Sequence, residues 1–349
     1  MTTALTNAQL GELLRVEAGE HEEHRRLALE RAARAAQFWP REAADLARDE
    51  RSLTELPSVG PWVAAQLHGW LDDPPPVPEP EPSRAGYLTY AEVRTVLDAD
   101  PAWEATPHGD LQVHSTDSDG SLPLEEMAEA ARSEGRTFMA ATDHSQSLKI
   151  ANGQDPERLA DQGRRIEAIN ARYAGDGVTF RVLRSIEMDV FIDGSCDMDE
   201  DALAGLDLVL GAFHSKLRVT EDSTERYVAA LRNPAVHVLA HPKARMYGRR
   251  VGLEADWPQV FTEAATLGKA VELDGTPYRQ DLNVEMATIA RKAGVQWFTM
   301  GTDAHSAGEL ANLPFAMATA VLAGIPRERI LNYRPVEEVI GWVQGLRER

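Results

Sequence analysis

The sequence predicts an α/β protein whose larger part is a parallel barrel and whose smaller part is an all-α domain preceding it. Three observations carry this reading. From residue 107 onward, seven short apolar or β-branched runs alternate with helical segments, the pattern of a parallel sheet with right-handed crossovers. Those runs end, with few exceptions, in polar side chains able to bind a metal. A proline-rich acidic stretch, DDPPPVPEPEPSRAG at 72–86, has no side chains to build a core and reads as a semi-rigid linker. Seven units point to a closed barrel; an open sheet in the same order is the alternative.

The elements follow in order. Residues 4–18, 20–38 and 40–51 carry apolar residues at roughly helical spacing, punctuated at Trp39-Pro40. The tight turn Leu56-Pro57-Ser58-Val59-Gly60-Pro61 then leads into a helix at 62–71, completing a first domain at 1–71. Beyond the linker, 87–106 holds a lead-in helix at 90–98. Strands are expected at 110–114, 138–144, 180–189, 206–214, 236–241, 270–274 and 297–305. Helices are expected at 124–134, 156–173, 223–232, 257–266, 282–293 and after Ser306, all within a second domain at 107–349.

Composition narrows the function. The net charge of −20 disfavours tight non-specific binding to DNA, which calls for a basic surface, and leaves room for a transient substrate encounter. A single cysteine, Cys196, excludes an intramolecular disulfide and a cysteine zinc cluster and suits a reducing compartment, so a cytoplasmic location is expected. Cys196 itself reads as structural. No apolar run reaches the ~18 residues of a membrane span, and the N-terminus lacks the basic-then-apolar order of a secretory signal. No membrane partner is expected.

The chemistry concentrates at the strand ends. The clusters are Gln112-Val113-His114 with Asp119 beyond, Thr142-Asp143-His144, Glu187, His214-Ser215, His241-Pro242 and Thr302-Asp303-Ala304-His305. In a parallel barrel the C-terminal strand ends converge on one rim, where active sites form. Five of the ten histidines occupy this one class of position. Any one of them alone reads as a structural histidine; their convergence is the signal. Imidazole with carboxylate suits zinc, manganese or iron. His21, His24, His68, His108 and His237 have no such pattern and read as ordinary.

GDLQVHSTDSDGSLPLEEMAEAA, FMAATDHSQSL, IEMDV, DLVLGAFHS, HVLAHPKARMYGRR, ADWPQVF, VELDG and TMGTDAHS together resemble a PHP (polymerase and histidinol-phosphatase) domain. The version attached to bacterial family-X DNA polymerases is the most similar, over about 107–335. The resemblance implies a distorted (β/α)7 TIM-like barrel, two or three divalent metal ions (Zn, Mn or Fe) and phosphoester hydrolysis. It places His114, Glu187, Asp303 and the Gln112 position on one metal, Glu187, His214 and His241 on a second, and Asp119, His144 and His305 on a third. One departure is Gln112, which stands where most of the family has histidine; an amide oxygen is a weaker ligand, so that metal would be held loosely.

Two cations about 3.5–4 Å apart can activate a water and stabilise charge developing at phosphorus. Glu187 would bridge them, with His214, His241 and Asp303 completing the catalytic set. Asp143 and Ser115 are candidates for orienting imidazoles, ordinary turn hydrogen bonds being the alternative. Lys216, Lys243, Arg245, Arg249 and Arg250 follow two of the ligands and are expected to grip phosphate. Surface charge on solvated loops is the bland alternative.

LPSVGPWVAAQL resembles a helix-hairpin-helix, the DNA-phosphate grip of the small N-terminal domain of family-X polymerases. The fit is partial. Ser58 replaces the first hairpin glycine, Pro61-Trp62 replace the usual lysines, and Gln66 replaces a Schiff-base lysine, so lyase activity is not expected. Protein docking through this domain is as good a reading as DNA binding. Only a proline linker and some twenty residues stand between hairpin and barrel, too few for a palm carrying an Asp-x-Asp metal pair on a strand, so polymerase activity is not expected. Three functions follow: a DNA 3′–5′ exonuclease or 3′-end-processing phosphoesterase; a small-molecule phosphatase of the histidinol-phosphatase kind; and a metal-stabilised binding module without turnover.

Overall fold

Helix α1 (Asn7–Gly19) starts where the sequence supplies a capping box: Thr6 accepts from the Gln9 amide while the Gln9 side chain accepts from the Thr6 amide. It opens the first of two units, Met1–Pro101 and Ala102–Arg349, in a computed structural model that describes residues 4–106 and 108–348. Four more helices follow in this unit: α2 (Glu23–Ala35), α3 (Ala43–Arg48), α4 (Pro61–Asp72) and α5 (Tyr90–Ala99). They bury Leu10, Leu14, Leu29, Trp39, Leu53 and Leu67, and the Trp39 indole donates to Pro57 O at 3.0 Å. Ser58, at the hairpin position, adopts φ +63°.

Segment 72–86 packs on this helical unit. Val77 lies against its core, Arg84 forks onto both Glu12 oxygens at 2.8 Å, and Gln37 Nε2 donates to Leu88 O at 2.5 Å. The division of the chain accordingly falls at Pro101, beyond the proline-rich stretch, because these contacts tie the stretch and α5 to what precedes them.

The second unit begins with α6 (Ala102–Ala105) and contains seven strands, β1 (Asp110–Val113), β2 (Phe138–Ala141), β3 (Arg181–Asp189), β4 (Leu208–Ala212), β5 (Val238–Leu239), β6 (Ala270–Asp274) and β7 (Trp297–Gly301). Each pairs in parallel with the next. Closure comes from a parallel bridge between Val113 and Ala304, with the His114 amide donating to Ala304 O and the Asp303 amide to Gln112 O. The sheet is a barrel, not an open array. Helices α7 (Leu124–Ser133), α8 (Pro156–Gly175), α9 (Glu200–Ala204), α10 (Thr224–Arg232), α11 (Trp257–Leu267), α12 (Val284–Lys292), α13 (Leu313–Ala323) and α14 (Val336–Arg347) lie between and after the strands. Short α9 was not among the expected elements; α13 and α14 both fall in the stretch after Ser306 where helix was expected.

Strand alternation sets where chemistry can sit. Along β3, Leu183, Ser185, Glu187 and Asp189 share one face. Leu183 joins an apolar cluster with Leu208, Leu210, Val238, Ala270 and Val339 and Val343 of α14. From the next step onward the same face is polar, through Ser185, Glu187 and Asp189. The opposite face, through Met139 and Val182, packs on Met127 and Ala131 of α7 and Ile166 and Ile169 of α8.

Several strands are shorter than expected. Apolar residues end β2, β4, β5 and β7 before His144, His214, His241 and His305, which lie in the following turns. β5 spans only Val238–Leu239. Backbone reversal explains this: His241 at φ +26° and Asp303 at φ +50° cannot continue a strand.

Among the described residues no helix is long and apolar enough to cross a membrane.

Candidate metal centre

Glu187, third from the C-terminal end of β3, has 0% exposure. A carboxylate so buried is costly unless paired, and four imidazoles surround it. Oε1 lies 2.7 Å from His241 Nε2 and 3.0 Å from His214 Nε2; Oε2 lies 3.3 Å from His114 Nε2 and 3.2 Å from His144 Nδ1. Asp303 Oδ1 sits 3.1 Å from His114 Nε2. Asp119 Oδ1 completes the cluster, 3.2 Å from His305 Nε2 and 3.6 Å from His144 Nε2. The His114 and His305 rings stack at 4.2 Å.

The backbone is bent to make this possible. The His241 amide donates to Glu272 Oε2 at 2.9 Å, holding His241 in its left-handed turn. Strain of this kind persists only when surrounding contacts over-determine it. Gly301 leaves space for the cluster: a Cβ there would fall 2.5 Å from Gln112 Cβ and 2.5 Å from Glu272 Oε1.

Neighbouring groups fix the rings and loops. His305 Nδ1 donates to Asp303 O at 2.8 Å, and His214 Nδ1 lies 3.4 Å from Asp189 Oδ1. Asp143 accepts from the Ser115 amide and hydroxyl, the Ser118 hydroxyl and Gln162 Nε2. Asp143 and Ser115 therefore brace the turn that leads to Asp119 and hydrogen-bond to each other, not to an imidazole.

Burial works against ionisation of Glu187, yet interaction with the His144, His214 and His241 imidazoles holds it well below the usual carboxylate range. Asp303 is likewise held low against burial, by Arg279 and His114. Burial pushes His144 down to about 3. Glu272 and Asp274, on β6 beside them, are raised by burial and by neighbouring carboxylates.

Three overlapping groups could each hold a metal ion: His114, Asp119, His144 and His305; His144, Glu187 and His214; and His114, Glu187 and Asp303. Donor chemistry fits such ions. Among the described residues, Gln112 Oε1, His114 Nδ1 and Glu187 Oε2 are buried without a well-aligned hydrogen bond, and water-excluded polar atoms of this kind are what cations satisfy. Gln112 itself is fully buried, its Nε2 3.5 Å from Asp303 Oδ1.

The five cations expected to grip phosphate are placed differently from one another. Lys216 and Arg249 are exposed. Lys243 pairs with Glu254 at 3.3 Å and lies over the Trp257 ring. Arg250 Nε donates to Ala244 O within its own loop, and Arg245 is buried, its amide donating to Asp281 Oδ2. Arg279 was not singled out in the sequence, nor were Asp189, Glu272 and Asp274; Arg279 Nε lies 3.3 Å from Asp303 Oδ2. Cys196 is half-buried against Asn233 Nδ2, and burial pushes its thiol up to about 11, an unreactive structural position. His237 accepts from the Val209 amide, and His108 is likewise tied up in hydrogen bonds.

The chain is 39% identical over 232 residues to the DNA polymerase/3′-5′ exonuclease PolX of Bacillus subtilis, a match covering 66% of this chain and 40% of that protein. It is 30% identical over 222 residues to a probable phosphatase of Tolumonas auensis, covering 60% of this chain and 82% of the relative. Against the probable phosphatase YcdX of Escherichia coli K12 it is 28% identical over 240 residues, 65% of this chain and 90% of the relative. Among solved structures, histidinol phosphate phosphatase of Lactococcus lactis, complexed with zinc, L-histidinol and phosphate, aligns at TM-score 0.41 and 12% identity over 69% of this chain and 92% of that one. No family model matches the chain.

Proposed function

The chain belongs to the PHP (polymerase and histidinol-phosphatase) family, and on that premise we propose that it is a metal-dependent phosphoesterase acting on DNA 3′ ends, as a 3′–5′ exonuclease or end-processing enzyme. The observation that carries the phosphoesterase reading is Glu187, one buried carboxylate in reach of four imidazoles. The greater identity to the exonuclease-bearing relative supports DNA as substrate, although the chain spans only 40% of that protein's length.

Bound divalent cations would supply an activated water and neutralise charge developing on phosphoryl oxygen. This chain's residues would hold two or three of them. Glu187 can serve two at once, since Oε1 faces His214 and His241 while Oε2 faces His114 and His144. Asp303 and Gln112 would complete the first site and Asp119, His144 and His305 the third. Nitrogen and oxygen donors without thiolate suit zinc, manganese or iron. Asp189 and the Asp303 carbonyl would keep the His214 and His305 rings oriented. The burial of Glu187, His114 and Gln112 keeps bulk water from competing, which strengthens every charge interaction there. A cytoplasmic location fits the lone cysteine.

A small phosphomonoester is the second reading, favoured by the net charge of −20, which repels a polyanion. Hydrolysis of a 3′-recessed DNA duplex is to be compared with that of histidinol phosphate, each with added Mn²⁺ or Zn²⁺. Faster release of nucleotides supports the DNA reading; faster release of phosphate from histidinol phosphate replaces it. Neither, with metal demonstrably bound, would leave a binding module. Whether residues 1–71 engage DNA is read from binding of duplex DNA by the wild type and by Trp62→Ala, changed at the hairpin position where the usual lysines are replaced.

A further inference from the structure

The geometry points to Arg279 as the side chain that grips the substrate phosphoryl group, an assignment that rests on the phosphoesterase reading above. Arg279 Nε lies 3.3 Å from Asp303 Oδ2 and 3.9 Å from Asp274 Oδ2. No other ion pair or hydrogen bond engages its guanidinium among the described residues, and its side chain keeps 21% exposure. One edge is thus pinned to the carboxylate that would hold a metal, and the terminal nitrogens remain for a ligand. A guanidinium fork matches the spacing of two phosphoryl oxygens.

The loop that presents Arg279 is built to hold it still. The Gly275 amide donates to Gly301 O at 2.7 Å, tying the loop to the strand that leads to Asp303. The Thr276 amide donates to Asp274 Oδ1 at 2.6 Å and its hydroxyl to Thr302 O at 3.1 Å. The Arg279 amide closes a turn onto Thr276 O. A grip so fixed loses little freedom on binding. The cations suggested by sequence are not tied to the cluster in this way: the Lys243 ammonium pairs with Glu254 and Arg250 Nε donates to Ala244 O within its own loop, while Lys216 and Arg249 are exposed.

A bland role, neutralising Asp274 and Asp303, predicts no contact with ligand, and binding of inorganic phosphate separates the two. The full chain loaded with zinc, its content checked by elemental analysis, is dialysed against labelled phosphate. Arg279→Gln is expected to bind phosphate about ten- to a hundredfold more weakly at unchanged zinc content, and Arg279→Lys to recover part of that loss. Wild-type affinity in a folded, zinc-loaded Arg279→Gln overturns the assignment. So does a loss of zinc in Arg279→Gln that accounts for all the lost phosphate, since Arg279 would then act only through Asp303. If zinc-loaded wild type binds no phosphate and hydrolyses neither substrate, the phosphoesterase reading fails first and takes this one with it. Hydrolysis by wild type with Arg279→Gln undiminished in phosphate affinity sinks this inference alone.

Discussion

Glu187 Oε1 lies 2.7 Å from His241 Nε2, a contact between two residues 54 positions apart in the chain. β3 delivers one and the turn after the two-residue β5 delivers the other. The same carboxylate reaches His114 and His144 through its second oxygen, so a single side chain links both halves of the cluster.

Replacing Glu187 with Gln keeps the shape and removes the charge. Turnover is expected to fall by about 10³-fold or more, because several kcal/mol of charge stabilisation at the cations is lost. Circular dichroism and the melting temperature should show a folded barrel. Full activity in Glu187→Gln would reject its bridging role.

Much of this arrangement was legible in sequence for a physical reason. Apolar runs that end in histidine or carboxylate mark the strands and their chemistry together, and barrel closure brings such ends to one rim. Gln112, His114, Asp119, His144, Glu187, His214, His241, Asp303 and His305 all meet there. Arg279 was invisible because it follows β6, a strand without histidine, by a five-residue loop whose turn no periodicity reports. Strand lengths were overdrawn because the reversals at His241 and Asp303 depend on tertiary hydrogen bonds. The packing of Arg84 on Glu12 across segment 72–86 likewise has no local signature in a run of prolines.

Metal removal tests the cluster as a structural element. Stripping with a chelator should lower the melting temperature of the barrel and abolish turnover, and returning Zn²⁺ or Mn²⁺ should restore both. A cation at a hundred times its dissociation constant stabilises by about 2.7 kcal/mol, roughly 5–10 °C for a unit of this size. Thermal melts of stripped and reloaded protein give the shift; no shift would mean that the buried lone pairs need no cation.

Gly301 is required by its surroundings. Its φ is ordinary, so the constraint is space alone: Gln112 Cβ and Glu272 Oε1 each stand 2.5 Å from where a Cβ would be. Gly301→Ala should cost about 1–3 kcal/mol as an overpacked core site and displace Gln112 from the cluster. Lower metal content alongside a lower melting temperature is the expected signature, read by elemental analysis and denaturant titration.

The pH dependence of stability should show His108. Its Nδ1 donates to Thr106 O at 2.7 Å, and Nε2 accepts from Arg136 Nη1 at 2.6 Å. That pattern uses the neutral ring, and burial with the Arg136 charge pushes His108 down to about 4 from an ordinary 6.5. A depressed folded value means that the unfolded chain takes the proton first. The stability is therefore intact above pH 6.5 and is lost as pH falls from there towards 4, by up to about 3 kcal/mol. Denaturant unfolding at pH 7 and pH 4.5 measures the loss. His108→Asn removes the titrating group and should flatten this part of the profile while lowering stability at pH 7, since the hydrogen bond from Arg136 is weakened. An unchanged slope in His108→Asn would assign the acid sensitivity to other groups.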